Sequence, residues 1–375
     1  MKPRRLALSL HGYIGIITGI LLVVIGLTGS LLVFSHEIDH LVHPQLLQVA
    51  PQAEQVSPQR VVDIAQAFQP SLKPHRITMP RSPNEAYTVM MLSPNDEYTN
   101  IYVNPYGGAV LGSLPWKQSI VGWLIDLHVH LFAGDWGMNL VGICGGVFLV
   151  MGMTGLLLWN GWKQLRFGFK IRWQAPWQLV NYDLHKAIGV LSVALLSLIA
   201  VTGMAMVFWT PFETAVYSLT RSPKPPEFTS KIIPNAAPMG INELLQKAGT
   251  TLPEGKVFKF FPAKTPDATF NVWMDVPHEH EFNKNPYLRL DQYTGEVLHT
   301  SGWKNDSLGD RLLSAPYILH VGNYGGGLTR ILYFLIGLVP LVLLITGFAL
   351  WNRRRWLFAH RKEATQHSQR TNAKS

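Results

Sequence analysis

Four apolar runs constrain this chain more than any other feature: residues 11–35, 137–161, 186–209 and 328–351. Each exceeds the roughly 20 residues that a helix needs to cross the hydrocarbon core of a bilayer. Uncharged helices of this length have no natural place in a soluble fold, so the four runs are read as membrane spans. Hydrophobic residues make up 47% of the chain and charged residues only 15%, against roughly 25% charged in a soluble protein. The first run follows Met1-Lys2-Pro3-Arg4-Arg5, as a secretory signal would. Its apolar stretch is longer than a signal's core of roughly 7–15 residues, so it is read as a retained span.

The formal charge of +9 could indicate nucleic acid, an acidic ligand or a membrane surface. Its distribution favours the last. Lys2, Arg4 and Arg5 precede span one. Lys163, Arg166, Lys170, Arg172 and Lys186 connect spans two and three. Arg353, Arg354, Arg355, Arg361, Lys362, Arg370 and Lys374 follow span four. These three segments carry only two acids, Asp183 and Glu363. Lys and Arg accumulate on the cytoplasmic side of membrane proteins, so both termini are placed inside. The polar blocks 37–127 and 210–319 are placed outside, in the periplasm of a bacterium, with the spans in its inner membrane.

The expected fold class is integral membrane α-helical, with four transmembrane helices in a two-fold internal repeat and two periplasmic α+β modules. Helix 1 takes residues 1–36 and the first module 37–118. A pre-helix and helix 2 take 119–162, and a cytoplasmic connection takes 163–184. Helix 3 takes 185–210 and the second module 211–306. A pre-helix and helix 4 take 307–352, and a basic cytoplasmic tail takes 353–375. In the first module Ser57-Pro58 opens a helix to Phe68, followed by strands at 77–79, 86–92 and 98–103 and a turn at Asn104–Gly108. In the second, Asn242 opens a helix to Ala248, followed by strands at 256–261, 268–275 and 287–290 and a turn at Asp291–Gly295. One helix on a few strands is a small core, so each module is expected to lean on a neighbour.

The repeat is visible by subtraction. Leu10-His11, Ile14-Gly15 and Thr28-Gly29 recur 174 residues later as Leu184-His185, Ile188-Gly189 and Thr202-Gly203. Leu127-His128-Val129, Thr154-Gly155 and Leu158-Trp159-Asn160 recur 192 later as Leu319-His320-Val321, Thr346-Gly347 and Leu350-Trp351-Asn352. The modules match at an offset of 187, Tyr106 and Gly108 falling on Tyr293 and Gly295.

Of fourteen histidines, the repeat pairs four. His11 and His185 open spans at the cytoplasmic face, and His128 and His320 precede spans at the periplasmic face. A two-fold arrangement would set each pair on opposing helices at one depth, as bis-histidine ligation of haem b requires. Gly15 and Gly19 follow His11, and Gly189 follows His185, at helical spacing that leaves room for a macrocycle. The alternative is interfacial histidines with glycines serving helix packing. The single cysteine, Cys144, excludes thiolate-rich zinc and iron–sulfur sites. Two haem b groups are therefore expected, with His11, His185, His128 and His320 as the iron ligands, forming an electron path across the bilayer.

Other histidines are read more plainly. His130, two residues beyond His128, is given a solvation role or an indirect one beside the site. His36, His40 and His43 form a polar collar after span one, although His36 and His40 have metal-binding spacing. His278-Glu279-His280-Glu281 is read as an exposed turn. Trp116, Trp123, Trp136, Trp303, Tyr317 and Tyr324 crowd the periplasmic edge as anchors, and Trp116, Trp303, Tyr317 and Tyr324 are candidates for lining a substrate pocket. The spans hold no midplane charges or broken helices, against a transporter. No P-loop, Gly-x-Gly-x-x-Gly fingerprint or Ser-His-Asp set is present.

Leu10-His11-Gly12 through Thr28-Gly29, Leu127-His128-Val129-His130-Leu131-Phe132 through Trp159, Tyr182-Asp183-Leu184-His185-Lys186 and Trp351-Asn352 resemble the PepSY-associated transmembrane family, the iron-regulated membrane proteins. The outside modules look like PepSY domains. Within the family the chain looks most like the di-haem siderophore-iron reductases of the FoxB type. That resemblance implies an oxidoreductase that passes electrons outward to reduce a ferric siderophore, releasing Fe(II) in the periplasm. The electron donor would be a quinol or a cytoplasmic reductase. The sequence departs from a full repeat at Gly322, which stands opposite His130. Two other readings stay open: a haem electron-transfer subunit for a separate partner, and a non-redox binding or regulatory membrane protein.

Overall fold

A computed structural model describes the backbone of residues 3–276, 286–302 and 306–372, and side chains as far as Leu357. In chain order the first helices are α1 (Pro3–Leu32), α2 (Ser35–Val42), α3 (Pro44–Leu47), α4 (Pro58–Phe68), α5 (Ile120–Ile125) and α6 (Gly134–Leu158). They are followed by α7 (Leu165–Phe169), α8 (Trp177–Val207), α9 (Trp209–Thr220), α10 (Ile241–Thr251), α11 (Leu308–Val321) and α12 (Gly326–Asn372). The strands are β1 (Lys73–Thr78), β2 (Tyr87–Leu92), β3 (Tyr98–Val103), β4 (Val110–Pro115), β5 (Lys256–Phe261), β6 (Thr269–Asp275), β7 (Tyr287–Asp291) and β8 (Val297–Thr300). The chain separates into a helical unit (Met1–Val33, Leu127–Trp209 and Leu319–Ser375) and a sheet unit (Phe34–Asp126 and Thr210–Ile318).

In the helical unit, four helices are long and apolar enough to cross a membrane: Arg4–Leu32, Gly134–Leu158, Trp177–Val207 and Asn323–Leu357. They close a ring in which α1 packs on α12 and α6, and α8 packs on α6 and α12. Small residues set these approaches. A Cβ at Gly26 would stand 2.5 Å from the Gly337 carbonyl oxygen, and one at Gly142 would meet the Phe208 ring at 2.7 Å. Ile17, Ile20, Leu157, Leu191 and Leu328 point away from the ring and are exposed. An exposed apolar belt of this kind has a natural solvent in lipid. The helix of span one ends at Leu32, and the chain turns at Val33-Phe34 into α2. Its first eight residues also extend the helix before the apolar run, so the span sits within a helix longer at its start than hydropathy suggested.

Beside the spans, Asp183 is buried and fully engaged. Arg172 donates to both of its oxygens at 2.8 and 3.0 Å, and Lys186 donates at 3.2 Å. Arg172 and Lys186 thus hold α8 at Asp183, two residues before His185.

The sheet unit is one eight-stranded antiparallel sheet, ordered β4-β3-β2-β1-β5-β6-β7-β8. The two modules join where β1 pairs with β5, Ile77 opposite Phe260 and Thr78 opposite Lys259. This is how each small core finds its neighbour. Val61 and Ala65 of α4, Leu244 and Ala248 of α10, and Ile77, Val89, Ile101, Phe260, Val272 and Leu288 of the strands form one buried cluster. Each module has a fourth strand, β4 or β8, beyond the three read from sequence. These are outer strands, short or interrupted by Gly112 and Pro115, so neither shows a clean alternation.

The start of α10 also differs from the sequence reading. The helix begins at Ile241 with Gly240 as its cap, and it runs to Thr251. Asn242 is inside, and its side chain accepts instead from the Gln59 backbone N–H at 3.1 Å, while Gln59 Oε1 accepts from Ile241 N–H at 2.8 Å. Each helix thus satisfies an orphan donor of the other. Gly108 (φ 68°) and Gly295 (φ 65°) close the turns after β3 and β7 in the left-handed region that favours glycine.

Candidate functional site

The helical unit brings the repeat-related histidines together in two pairs. The His11 and His185 rings have centroids 6.3 Å apart, and those of His128 and His320 are 6.2 Å apart. Two imidazoles on opposite sides of one metal, each bonded at roughly 2.0–2.1 Å with its centroid about 1.1 Å further on, would stand roughly 6.2–6.4 Å apart. Both centroid separations fall within that range.

Each ring is held by its Nδ1. His128 Nδ1 lies 2.9 Å from the Ile25 carbonyl oxygen and 3.0 Å from Thr28 Oγ1. His320 Nδ1 lies 2.9 Å from the Ile199 carbonyl and 3.2 Å from Thr202 Oγ1. His11 Nδ1 lies 3.2 Å from the Met151 carbonyl and 3.0 Å from Thr154 Oγ1. His185 Nδ1 lies 2.8 Å from Thr346 Oγ1. The four threonines spend their own hydroxyl protons on backbone carbonyls one turn back, at Val24, Met151, Leu198 and Val342. Each must therefore accept from its histidine. Carbonyls only accept as well, so the proton resides on Nδ1 and the Nε2 lone pair is available to a metal.

The glycine after each threonine makes the fit possible. A Cβ on Gly29 or Gly203 would stand 2.9 Å from Cε1 of His128 or His320. One on Gly155 or Gly347 would stand 3.3 or 3.2 Å from Cε1 of His11 or His185. The Thr-Gly dipeptides were visible in the sequence as markers of register. Their role as histidine seats was not, because the partner is about a hundred or more residues away.

Local backbone sets the His128–His320 pair. After α5 the chain makes a π-type turn over Asp126–His130, then reverses through Leu131 (φ 49°), Phe132 (φ 57°) and Gly134 (φ 56°) into α6. Non-glycine residues at positive φ are uncommon and costly. In the other half, Gly322 (φ 70°) makes the reversal directly after α11. An added Cβ there would run into the Tyr333 ring, so this half has no room for a counterpart of His130. Tyr333 is buried and donates to the Leu319 carbonyl, next to His320.

Beside His11 and His185 lies a cavity of about 510 Å³. Gly12, Gly15, Gly152, Gly155, Gly189 and Gly347 line it, with Lys186, Arg354 and Arg355 among its walls. Gly19 also lines it, although a Cβ there would meet Leu344 Cδ1 at 2.6 Å, so this glycine also serves helix packing. A flat apolar group with anionic substituents matches such walls. Haem b has both features, and the donor set of two neutral imidazoles suits its iron.

The chain matches the model of the PepSY-associated TM region over residues 8–354. It belongs to the PepSY-associated transmembrane family. The match spans both units, and a membrane protein with a separate antiparallel sheet fits that membership. No curated protein matches the chain.

The aromatic candidates for a substrate pocket fall in both units. Trp116 is half-buried in the sheet unit, between β4 and α5. Tyr317 is exposed on α11 in the sheet unit, and Tyr324 packs edge-on against Tyr333 in the helical unit. Trp303 and His278-Glu279-His280-Glu281 lie outside the described residues. His36 and His40 stand near Glu85, a partner that sequence did not suggest.

Sequence reasoning also missed the second face of the sheet. By strand alternation, Arg76, Lys259, Phe261, Trp273, Tyr287 and Arg289 point opposite to the buried cluster. Lys259 Nζ stands 5.1 Å from the Trp273 ring centroid, and the Arg289 guanidinium 5.5 Å from that of Tyr287. Burial, with Arg76 and Arg81 nearby, pushes the Lys259 ammonium down to about 8. Arg76 Nε and His75 Nδ1 are buried with no hydrogen-bond partner among the described residues. The face is cationic, aromatic and incompletely satisfied.

Proposed function

We propose that this PepSY-associated membrane protein is a di-haem b reductase of the inner membrane. In this reading His11 and His185 hold the cytoplasmic haem, and His128 and His320 hold the periplasmic one. The electron acceptor is Fe(III) bound to a siderophore in the periplasm. The observation that carries the reading is the pair of axial spacings, 6.3 and 6.2 Å, with every Nδ1 proton committed elsewhere.

Haem held by these four histidines would supply a one-electron iron couple suited to electron transfer. The chain's own residues supply the rest. The four threonines lock tautomer and ring orientation, which also raises the basicity of each Nε2. The glycines admit the macrocycle, and the apolar ring of spans excludes water. Thr28 follows His11 by seventeen residues on α1, as Thr202 follows His185 on α8. At 1.5 Å per residue that sets the two sites roughly 26 Å apart along the helices, close to the thickness of a hydrocarbon core. A two-fold relation between halves accounts for both pairs at once.

The siderophore's hard oxygen donors hold Fe(III) tightly and Fe(II) weakly. One electron releases the metal with no bond cleavage in the ligand and no acid–base residue. The cationic aromatic face around Arg76, Lys259 and Trp273 suits an anionic chelate. In this reading the termini lie in the cytoplasm and the sheet unit in the periplasm, as the distribution of basic segments supports. Electrons would enter from a quinol or a cytoplasmic reductase.

The wide exposure of Tyr317 on the sheet unit suits a second reading, in which a separate periplasmic protein takes the electrons. One experiment separates the two. The purified chain is reduced anaerobically and mixed with ferric siderophores and an Fe(II)-specific chromophore. Coupled reoxidation and Fe(II) release support the reductase. Reduced protein that leaves every ferric siderophore untouched, yet is oxidised by a periplasmic extract, supports the carrier.

A further inference from the structure

The sheet unit contains a second cluster of metal-ligating side chains, unrelated to the four histidines of the spans. α2 carries His36 and His40 one turn apart, so both rings leave the same face of the helix. Their centroids are 4.4 Å apart at 61°. Glu85 comes from a distant loop before β2 and completes the set, with His36 Nε2 3.6 Å from Glu85 Oε1. One ligand atom from each of the three residues can be chosen so that all lie within 4.8 Å of one another.

The glutamate is held in place. Gln48 and Glu85 form an antiparallel bridge, with the Val49 N–H donating to the Asn84 carbonyl at 2.9 Å and the Ala86 N–H to the Leu47 carbonyl at 3.0 Å. The Arg81 N–H donates to Glu85 Oε2 at 3.0 Å, which leaves Oε1 turned towards His36. His36 is partly open to solvent while Glu85 is nearly buried.

A polar collar would account for this cluster if its members hydrogen-bonded one another. At 3.6 Å, His36 and Glu85 are too far apart for a hydrogen bond. Two ligands of one tetrahedral ion, each bonded at roughly 2.1 Å, stand roughly 3.4 Å apart. The spacing fits an ion pair between a protonated His36 and Glu85, and equally two ligands flanking one ion.

We infer that His36, His40 and Glu85 form a binding site for a divalent transition-metal ion, with water completing its coordination. Two imidazoles and one carboxylate suit zinc, cobalt or ferrous iron better than calcium or magnesium, which prefer all-oxygen sites. The inference is independent of the haem reading, because no span histidine takes part.

Zinc is the probe, since haem contributes none to the count. The full-length protein in detergent is stripped with a chelator and dialysed against micromolar Zn2+, and bound metal is measured by mass spectrometry. The expected result is one zinc per chain with a first shell of nitrogen and oxygen by X-ray absorption. His36→Ala with His40→Ala is expected to weaken binding at least tenfold, and Glu85→Gln by a similar factor. Zinc is also expected to raise the melting temperature of the wild type and not that of the variants. Glu85→Gln, nearly isosteric, carries the test should the double histidine variant fail to fold. No bound zinc, a thiolate in the first shell, or zinc lost with His278→Ala and His280→Ala but retained by the His36, His40 and Glu85 variants would overturn the inference.

Discussion

A histidine becomes a metal ligand of defined geometry only when something fixes its other nitrogen. Here that work falls to four threonines, each a helical neighbour of the glycine that admits the ring. Replacing Thr28 or Thr202 by Val removes one acceptor from His128 or His320 and leaves only a carbonyl. Loss of an indirect partner of this kind typically costs roughly ten- to a hundredfold in metal affinity. On the proposed reading, a haem held by His128 and His320 is expected to be lost more readily on dilution. Its reduction potential is expected to rise, because a less basic imidazole stabilises Fe(III) less. Redox titration of each variant measures both, and unchanged values would remove the threonines from the account. Gly203→Ala is more severe. Its Cβ would stand 2.9 Å from His320 Cε1, an overpacking worth about 1–3 kcal/mol. The expected outcome is haem content halved, with the surviving haem that of the His11–His185 pair, read by absorption spectra against protein concentration. The four histidines were legible because the repeat singles them out. Their seats were not, since Thr28 and His128 are a hundred residues apart and only folding makes them neighbours.

At the scale of elements, four spans and most strands could be read from hydropathy and turn residues. The joining of two modules into one sheet could not. The β1–β5 pairing depends on which edges remain free, and β4 and β8 lack a clean alternation because they lie at the outer edges. The cationic face is another such case. Arg76 and Lys259 occupy the polar positions of amphipathic strands, where sequence suggests open solvent, yet the β1–β5 pairing leaves both half-buried on one face. Lys259 makes this measurable. Its folded value is pushed down to about 8 from an ordinary 10.5, by burial first and by Arg76 and Arg81 second. Between those values the unfolded chain holds a proton that the folded chain has released, so stability rises with pH across that window. Lys259→Met is expected to flatten that rise in melting temperature between pH 8 and 10. An unaltered slope would place the titration elsewhere.

On the scale of the whole molecule, charge and hydropathy agree. Fifteen of the 32 Lys and Arg residues lie in three short segments, a distribution that supports the proposed orientation of the spans. Family membership supports a membrane protein with a PepSY-like sheet, and the histidine pairs support a redox path through it. The number of haem groups per chain tests that path most directly. Pyridine haemochrome analysis of the purified full-length protein, normalised to amino-acid content, should give two haem b per chain. It should give one for His185→Ala and one for His320→Ala. A wild-type protein that carries no haem after expression with haem supplied, or variants whose haem content equals that of the wild type, would contradict the account.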